Sequence, residues 1–184
     1  MGLAAPAAAT TDPHLFVVTS GAVGGSTDAL EIVSPWTATQ NVEPVGRDAV
    51  VRHFYGLHYV VNRSDGTIQV IDPDKYRTIR TLSVGAPSRP HDILVVAPDR
   101  AYVSRYDSAL LLEIDPATGS LRDTIDLSPL ADADSLPEMS MMALDGNHLF
   151  VQLQRLDRQL TVVHPPRPAR RDSLHPSMRG QIHP

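Results

Sequence analysis

At 184 residues the chain is long enough to bury a sizeable core in one domain, and its 42% apolar content lies well above disordered composition. A net charge of -5, from 16 basic and 21 acidic residues, offers no basic surface for a nucleic-acid partner. The absence of Cys excludes disulfides, thiolate catalysis, Cys-ligated zinc or iron–sulfur centres and acyl anchoring through Cys, and no apolar run reaches the length of a membrane span.

In chain order, residues 1–13 are expected to be disordered or the remnant of a signal peptide. Residues 1–10 are Ala-rich and resemble the small-residue end of such a leader, without its basic segment or long apolar stretch. A first repeat, 14–46, predicts strands at 15–19, 29–33 and 42–45, with no apolar strand ahead of Leu15. The Gly-rich 21–26 lacks the Lys-Ser/Thr of a phosphate-binding loop and the GxGxxG spacing, so it reads as a long flexible hairpin loop. Trp36 follows a turn and suits edge packing or an exposed contact.

The second repeat, 47–89, predicts four strands at 49–54, 57–62, 67–71 and 77–84. The third, 90–136, repeats the arrangement at 93–96, 101–105, 110–114 and 121–127. Their turns carry Ser64-Asp65-Gly66, Asp72-Pro73-Asp74, Ala97-Pro98-Asp99 and Asp115-Pro116. Pro presets φ for a turn, and Asp can bond its own backbone. The fourth repeat, 137–163, predicts strands at 139–144, 148–153 and 160–163. Residues 164–184 hold five Pro, four Arg and three His against one acidic residue, the composition of a disordered basic tail.

Four short runs carry one core: Phe16-Val17, Tyr59-Val60, Tyr102-Val103 and Phe150-Val151. The aromatics step by 43, 43 and 48 residues. A period in the forties built from short alternating strands marks a propeller blade or a comparable repeat array. The expected fold is all-β: four-stranded antiparallel blades, in three to four repeats, forming part of a β-propeller.

The detailed motifs resemble the YVTN-type propeller repeat, related in pattern to NHL-type blades. The third repeat reads Pro90-His91-Asp92-Ile93, Ala97-Pro98-Asp99-Arg100, Tyr102-Val103-Ser104-Arg105 and Ile114-Asp115-Pro116; the second reads Tyr59-Val60-Val61-Asn62 and Val70-Ile71-Asp72-Pro73. The resemblance covers roughly residues 14–163 and implies an exported or surface-exposed protein, extracellular or periplasmic. Such propellers usually close with about seven blades, whereas two complete and two partial repeats stand here, as in a gene fragment or a frameshift near 160.

In a propeller, the loop entering each innermost strand lies at the mouth of the central channel. The aromatic landmarks place Arg47-Asp48, Pro90-His91-Asp92 and Glu138-Met139-Ser140 there. Arg47, Asp48, His91, Asp92 and Glu138 are therefore the candidate ligand-binding residues, for a small polar or anionic ligand. The bland reading is that His91 and Asp92 tie their loop by hydrogen bonds. Neither metal nor cofactor is expected at this mouth, since only one of its three loops carries His. Asp132-Ala133-Asp134-Ser135 opens like a calcium loop, yet Pro137 replaces the needed Gly and Ala143 the bidentate Glu. The bland reading there is a solvated loop with a helical turn. His53 and His58 lie on the two strands of one hairpin, as a metal pair or as half-buried strand histidines.

The favoured function is a non-catalytic module binding a small polar ligand or a protein. The alternatives are a fragment of a propeller enzyme (lyase, lactonase or quinoprotein-like) or a non-functional truncation product. No catalytic residue is assigned. An open arc leaves apolar flanks wet, so self-association through the blade flanks is a further expectation.

Overall fold

The computed structural model describes residues 14–85 and 88–156. The expected leader, the strand at 160–163 and the tail lie outside the described residues. Among the described residues, thirteen strands form four consecutive antiparallel sheets. The first holds β1 (His14–Gly21), β2 (Gly24–Glu31) and β3 (Ala38–Val45). The second holds β4 (Ala49–Phe54), β5 (Leu57–Asn62), β6 (Thr67–Asp72) and β7 (Arg77–Ser83). The third holds β8 (Pro90–Ala97), β9 (Arg100–Arg105), β10 (Leu110–Ile114) and β11 (Leu121–Asp126), and the fourth β12 (Met139–Asp145) and β13 (His148–Leu153). In every sheet the strands neighbour one another in chain order, the meander of a propeller blade.

Local chemistry explains the turns. Asp72 Oδ1 accepts from the amides of Asp74 at 2.9 Å and Lys75 at 3.2 Å, and Asp115 Oδ1 accepts from the Ala117 amide at 2.8 Å. Both Asp-Pro turns are thus closed by the Asp side chain. The insertion before β12 holds a 3₁₀ turn, Ser128–Leu130, and ends on the buried Glu138.

The first sheet departs from expectation. Gly24, Gly25 and Ser26 are not loop but strand: Gly25 pairs with Ser20 and Ser26 with Thr19, leaving a two-residue turn at Ala22-Val23. The glycines are there for close approach. A Cβ on Gly25 would lie 1.7 Å from the Thr19 carbonyl oxygen. The strand expected at 29–33 consequently starts earlier and ends at Glu31, and β3 starts at Ala38 rather than Val42. Between them the β2–β3 register shifts at Thr27/Ala29, where Asp28 Oδ1 accepts from the Asn41 amide at 2.7 Å.

Alternation along each strand gives each sheet two apolar faces, one toward the preceding blade and one toward the next. Val60 and Ile71 face back and pack with Phe16, Val18 and Val45 of the first blade. Tyr59, Val61 and Val70 face forward and pack with Ile93, Ala101 and Val103 of the third. Leu94 and Leu111 face forward again, onto Met139 and Met142 of the fourth. The core is therefore a row of inter-blade layers, and its stability comes from interfaces between sheets.

Candidate functional site

Three residues immediately precede the innermost strands: Asp48 before β4, Arg89 before β8 and Glu138 before β12. All three are non-glycine residues in the left-handed region, with φ of 53°, 45° and 43°. Side chains cost about 1–2 kcal/mol in that conformation, so this repeated feature is held in place by its surroundings. Arg89→Gly is expected to raise stability by up to about 1 kcal/mol in chemical denaturation, because glycine removes the clash but adds unfolded-state entropy.

Beside two of these residues lies a cavity of about 320 Å³, lined by Asp48, Arg63, Arg89, His91, Tyr106 and Gln154. Asp48 and His91, two of the expected residues, meet here through Arg63. The Arg63 Nη1 lies 3.0 Å from Asp48 Oδ1, and its Nη2 lies 3.3 Å from His91 Nδ1. Arg63 also donates from Nε and Nη2 to the His91 carbonyl, both at 3.4 Å. The Arg89 guanidinium stands 3.8 Å from Asp107, an ion pair longer than a hydrogen bond.

A polar chain continues from His91. The Ser140 hydroxyl lies 3.4 Å from His91 Nδ1, Gln154 donates to Ser140 Oγ at 3.3 Å, and the Tyr106 hydroxyl donates to Gln154 Oε1 at 3.1 Å. Tyr106 stacks on His91 with ring centroids 5.6 Å apart. Burial, and then the Arg63 charge, push the His91 imidazole below its ordinary pKa, so the ring is neutral at pH 7.

The remaining expected residues have other places. Arg47 lines a separate cavity of about 430 Å³ between the first and second blades, beside Asn62, Asp65 and Gln69. Asp92 is buried, and protein donors take up both its oxygens. Its Oδ1 accepts from Arg52 Nε at 2.7 Å and from the Ile93 amide at 2.9 Å; its Oδ2 accepts from the Met142 amide at 2.8 Å. Asp92 thus bonds the second, third and fourth blades together.

Glu138 is also buried, its Oε2 accepting from the Leu156 amide at 3.2 Å. Asp132, Asp134 and Glu138 each bring one carboxylate oxygen within 4.8 Å of the others. Two of these carboxylates are turn-formers: Asp132 Oδ1 accepts from the Asp134 amide at 3.3 Å, and Asp134 Oδ1 from the Leu136 amide at 2.9 Å.

Arg63, Arg89, Tyr106 and Gln154 were not among the expected residues. A signal for three of them was present. Ser20, Arg63, Tyr106 and Gln154 are spaced by the same 43, 43 and 48 residues as the aromatic landmarks, each four positions after its landmark. The cavity is therefore lined from two kinds of repeat position, around the start of the innermost strand and just after the second.

No protein-family model matches the sequence, and no curated protein matches it. Among solved structures, the chain is similar to a glutaminyl cyclase from Myxococcus xanthus, at 19% identity and a TM-score of 0.48 over 76% of this chain. It is also similar to Hsv2 of Kluyveromyces lactis, at 13% identity and a TM-score of 0.39 over 60% of this chain. The chain spans 63% of the length of the cyclase and 33% of that of Hsv2.

Proposed function

We propose that the protein is a non-catalytic binding module of the YVTN-type propeller family, acting outside the cytoplasm, whose channel mouth takes a small anionic ligand. The observation that supports this is the pairing of Arg63 and Arg89 around one cavity with a neutral imidazole, a phenol and an amide. A guanidinium is the side chain best suited to a carboxylate or phosphate, because its donors form a rigid fork. Arg63 is held by Asp48 and His91 at 3.0–3.4 Å, whereas among the described residues the Arg89 guanidinium has only the longer 3.8 Å pair with Asp107, so Arg89 is the principal charge partner and Arg63 its support. A site built on paired carboxylates, one acid and one base, would need two of them converging. Among the described residues, the cavity is lined by one, Asp48, and Arg63 neutralises it at 3.0 Å.

Titration calorimetry of the full chain with inorganic phosphate, acetate and succinate tests the reading. Saturable binding of at least one anion is expected, weakened about 10–100-fold in Arg89→Gln by the loss of a charge-assisted hydrogen bond. Affinity is expected to rise as pH falls from 7 to 5. His91 faces Arg63, Arg52, Asp92 and Asp48, and its free-state pKa is lowered; a bound anion favours the imidazolium, so binding takes up a proton. His91→Asn flattens that profile. Binding that is indifferent to Arg89→Gln, or none with any of the three anions, overturns the proposal.

A further inference from the structure

Away from the mouth, at the other end of β4, the hairpin closes through Tyr55-Gly56. Both residues have positive φ, 48° and 71°, the geometry of the two-residue turns that match strand twist. This tight turn sets the register Phe54 opposite Leu57 and His53 opposite His58. The two imidazoles therefore project from one face of the sheet, and their Nδ1 atoms stand 3.1 Å apart. Phe16 of the first blade stacks flat on His58, with ring centroids 4.1 Å apart and an interplanar angle of 10°, which fixes the ring's orientation. His53 is exposed and leaves its side of the pair accessible to solvent.

We propose that His53 and His58 form a two-imidazole site for a late first-row divalent metal ion, with Cu²⁺ preferred over Zn²⁺. The distance fits. With metal–nitrogen bonds of about 2.05 Å, nitrogens 3.1 Å apart subtend about 98° at the metal, near the right angle of tetragonal copper. Imidazole nitrogen suits Cu²⁺, Ni²⁺ and Zn²⁺, and Cu²⁺ stands highest in the affinity order. A ligand must be deprotonated, and His58 is held so: burial and the neighbouring His53 lower its pKa to about 4. With both rings neutral, one Nδ1 donates to the other; metal binding uses both Nδ1 lone pairs, and the donor ring's proton moves to its Nε2. Water or a small exogenous ligand completes the coordination on the exposed side. Unlike a chelating triad, the pair supplies two ligands on a rigid hairpin, and the Phe16 stack supplies the orientation usually given by an outer hydrogen bond.

The full chain, titrated with Cu²⁺ and followed by electron paramagnetic resonance, decides the matter. Six other histidines compete, so the comparison is between the parent and His53→Gln, which alters an exposed side chain and leaves the Phe16–His58 stack intact. The parent is expected to bind one more tight equivalent than the variant, with hyperfine structure from two nitrogens at that site. His58→Gln should lose the same equivalent. A stoichiometry and affinity unchanged by His53→Gln, or a one-nitrogen spectrum for the lost equivalent, overturns the proposal. A thermal shift of the parent by Cu²⁺ that vanishes in His53→Gln supports it independently of the spectrum.

Discussion

Asp92→Ala is expected to lower the unfolding free energy by about 3–5 kcal/mol, a large share of a domain's total of roughly 5–15 kcal/mol. The carboxylate is 1% exposed and has three donors from three different blades. Removing it leaves the Met142 amide without its side-chain acceptor and leaves Arg52 facing a buried void. Asp92→Asn should cost nearly as much, because the new NH₂ group must face a donor. Arg52→Ala should cost less: its side chain is 30% exposed, and both backbone amides still hold the carboxylate. The shape of the transition carries further information. Blades are coupled through their interfaces, so weakening the link from β12 to β4 and β8 should broaden the urea transition as well as shift it. Amide exchange at Met142 should accelerate before that at Val60, which lies in the blade 1–2 layer. A loss of under 1 kcal/mol in Asp92→Ala would mean that the inter-blade layers alone hold the arc together.

The same residue shows what the sequence could and could not reveal. The repeat spacing put Asp92 among the expected ligand-binding residues; the structure places it within β8, buried and outside the lining of the cavity. Nothing in one sequence tells whether a carboxylate at that place points into the channel or into the neighbouring sheet. That choice depends on Arg52 and on the Met142 amide, 40 and 50 residues away. The strands of the second and third blades were legible to within a few residues because alternation and Asp-Pro turns agree there. In the first blade they conflicted. Gly24 and Gly25 read as loop residues by composition, but close strand approach was the reason for them. Arg63, Tyr106 and Gln154 were recoverable by applying the landmark spacing one position beyond the second strand. They were missed because three different residue types at equivalent positions do not look like a motif. Arg89 had no such signal: its left-handed backbone, not its side chain, marks the position, and φ is not written in an arginine.

Phe150→Ser is expected to reduce self-association of the chain more than any substitution on the opposite flank. The landmark aromatic faces the next blade in every repeat. Phe16 stacks on His58, Tyr59 is 3% exposed against the third blade, and Tyr102 is half-buried against the fourth. Phe150 is 57% exposed, with Met141 at 50% beside it, because among the described residues no sheet lies beyond β13. The face built to be an interface is therefore wet, and full burial of such side chains contributes about 1.5–3 kcal/mol each. The outer flank of the first blade differs. Leu15, Val17 and Leu30 hold back-facing positions, but Asp28, paired with Val17, sets a carboxylate among them, where the second blade has Gln69 paired with Val60. A carboxylate bonded to the Asn41 amide is a poor surface to bury against another apolar sheet, so this flank resists docking. Light scattering across a concentration series should show the parent growing beyond one chain's mass, Phe150→Ser shifting that onset to higher concentration, and Leu15→Ser shifting it little. A parent that stays a monodisperse monomer throughout would show that the exposed face of the fourth blade is tolerated in water. Equal effects from both substitutions would mean that the first blade's flank docks as readily as the fourth's, despite Asp28.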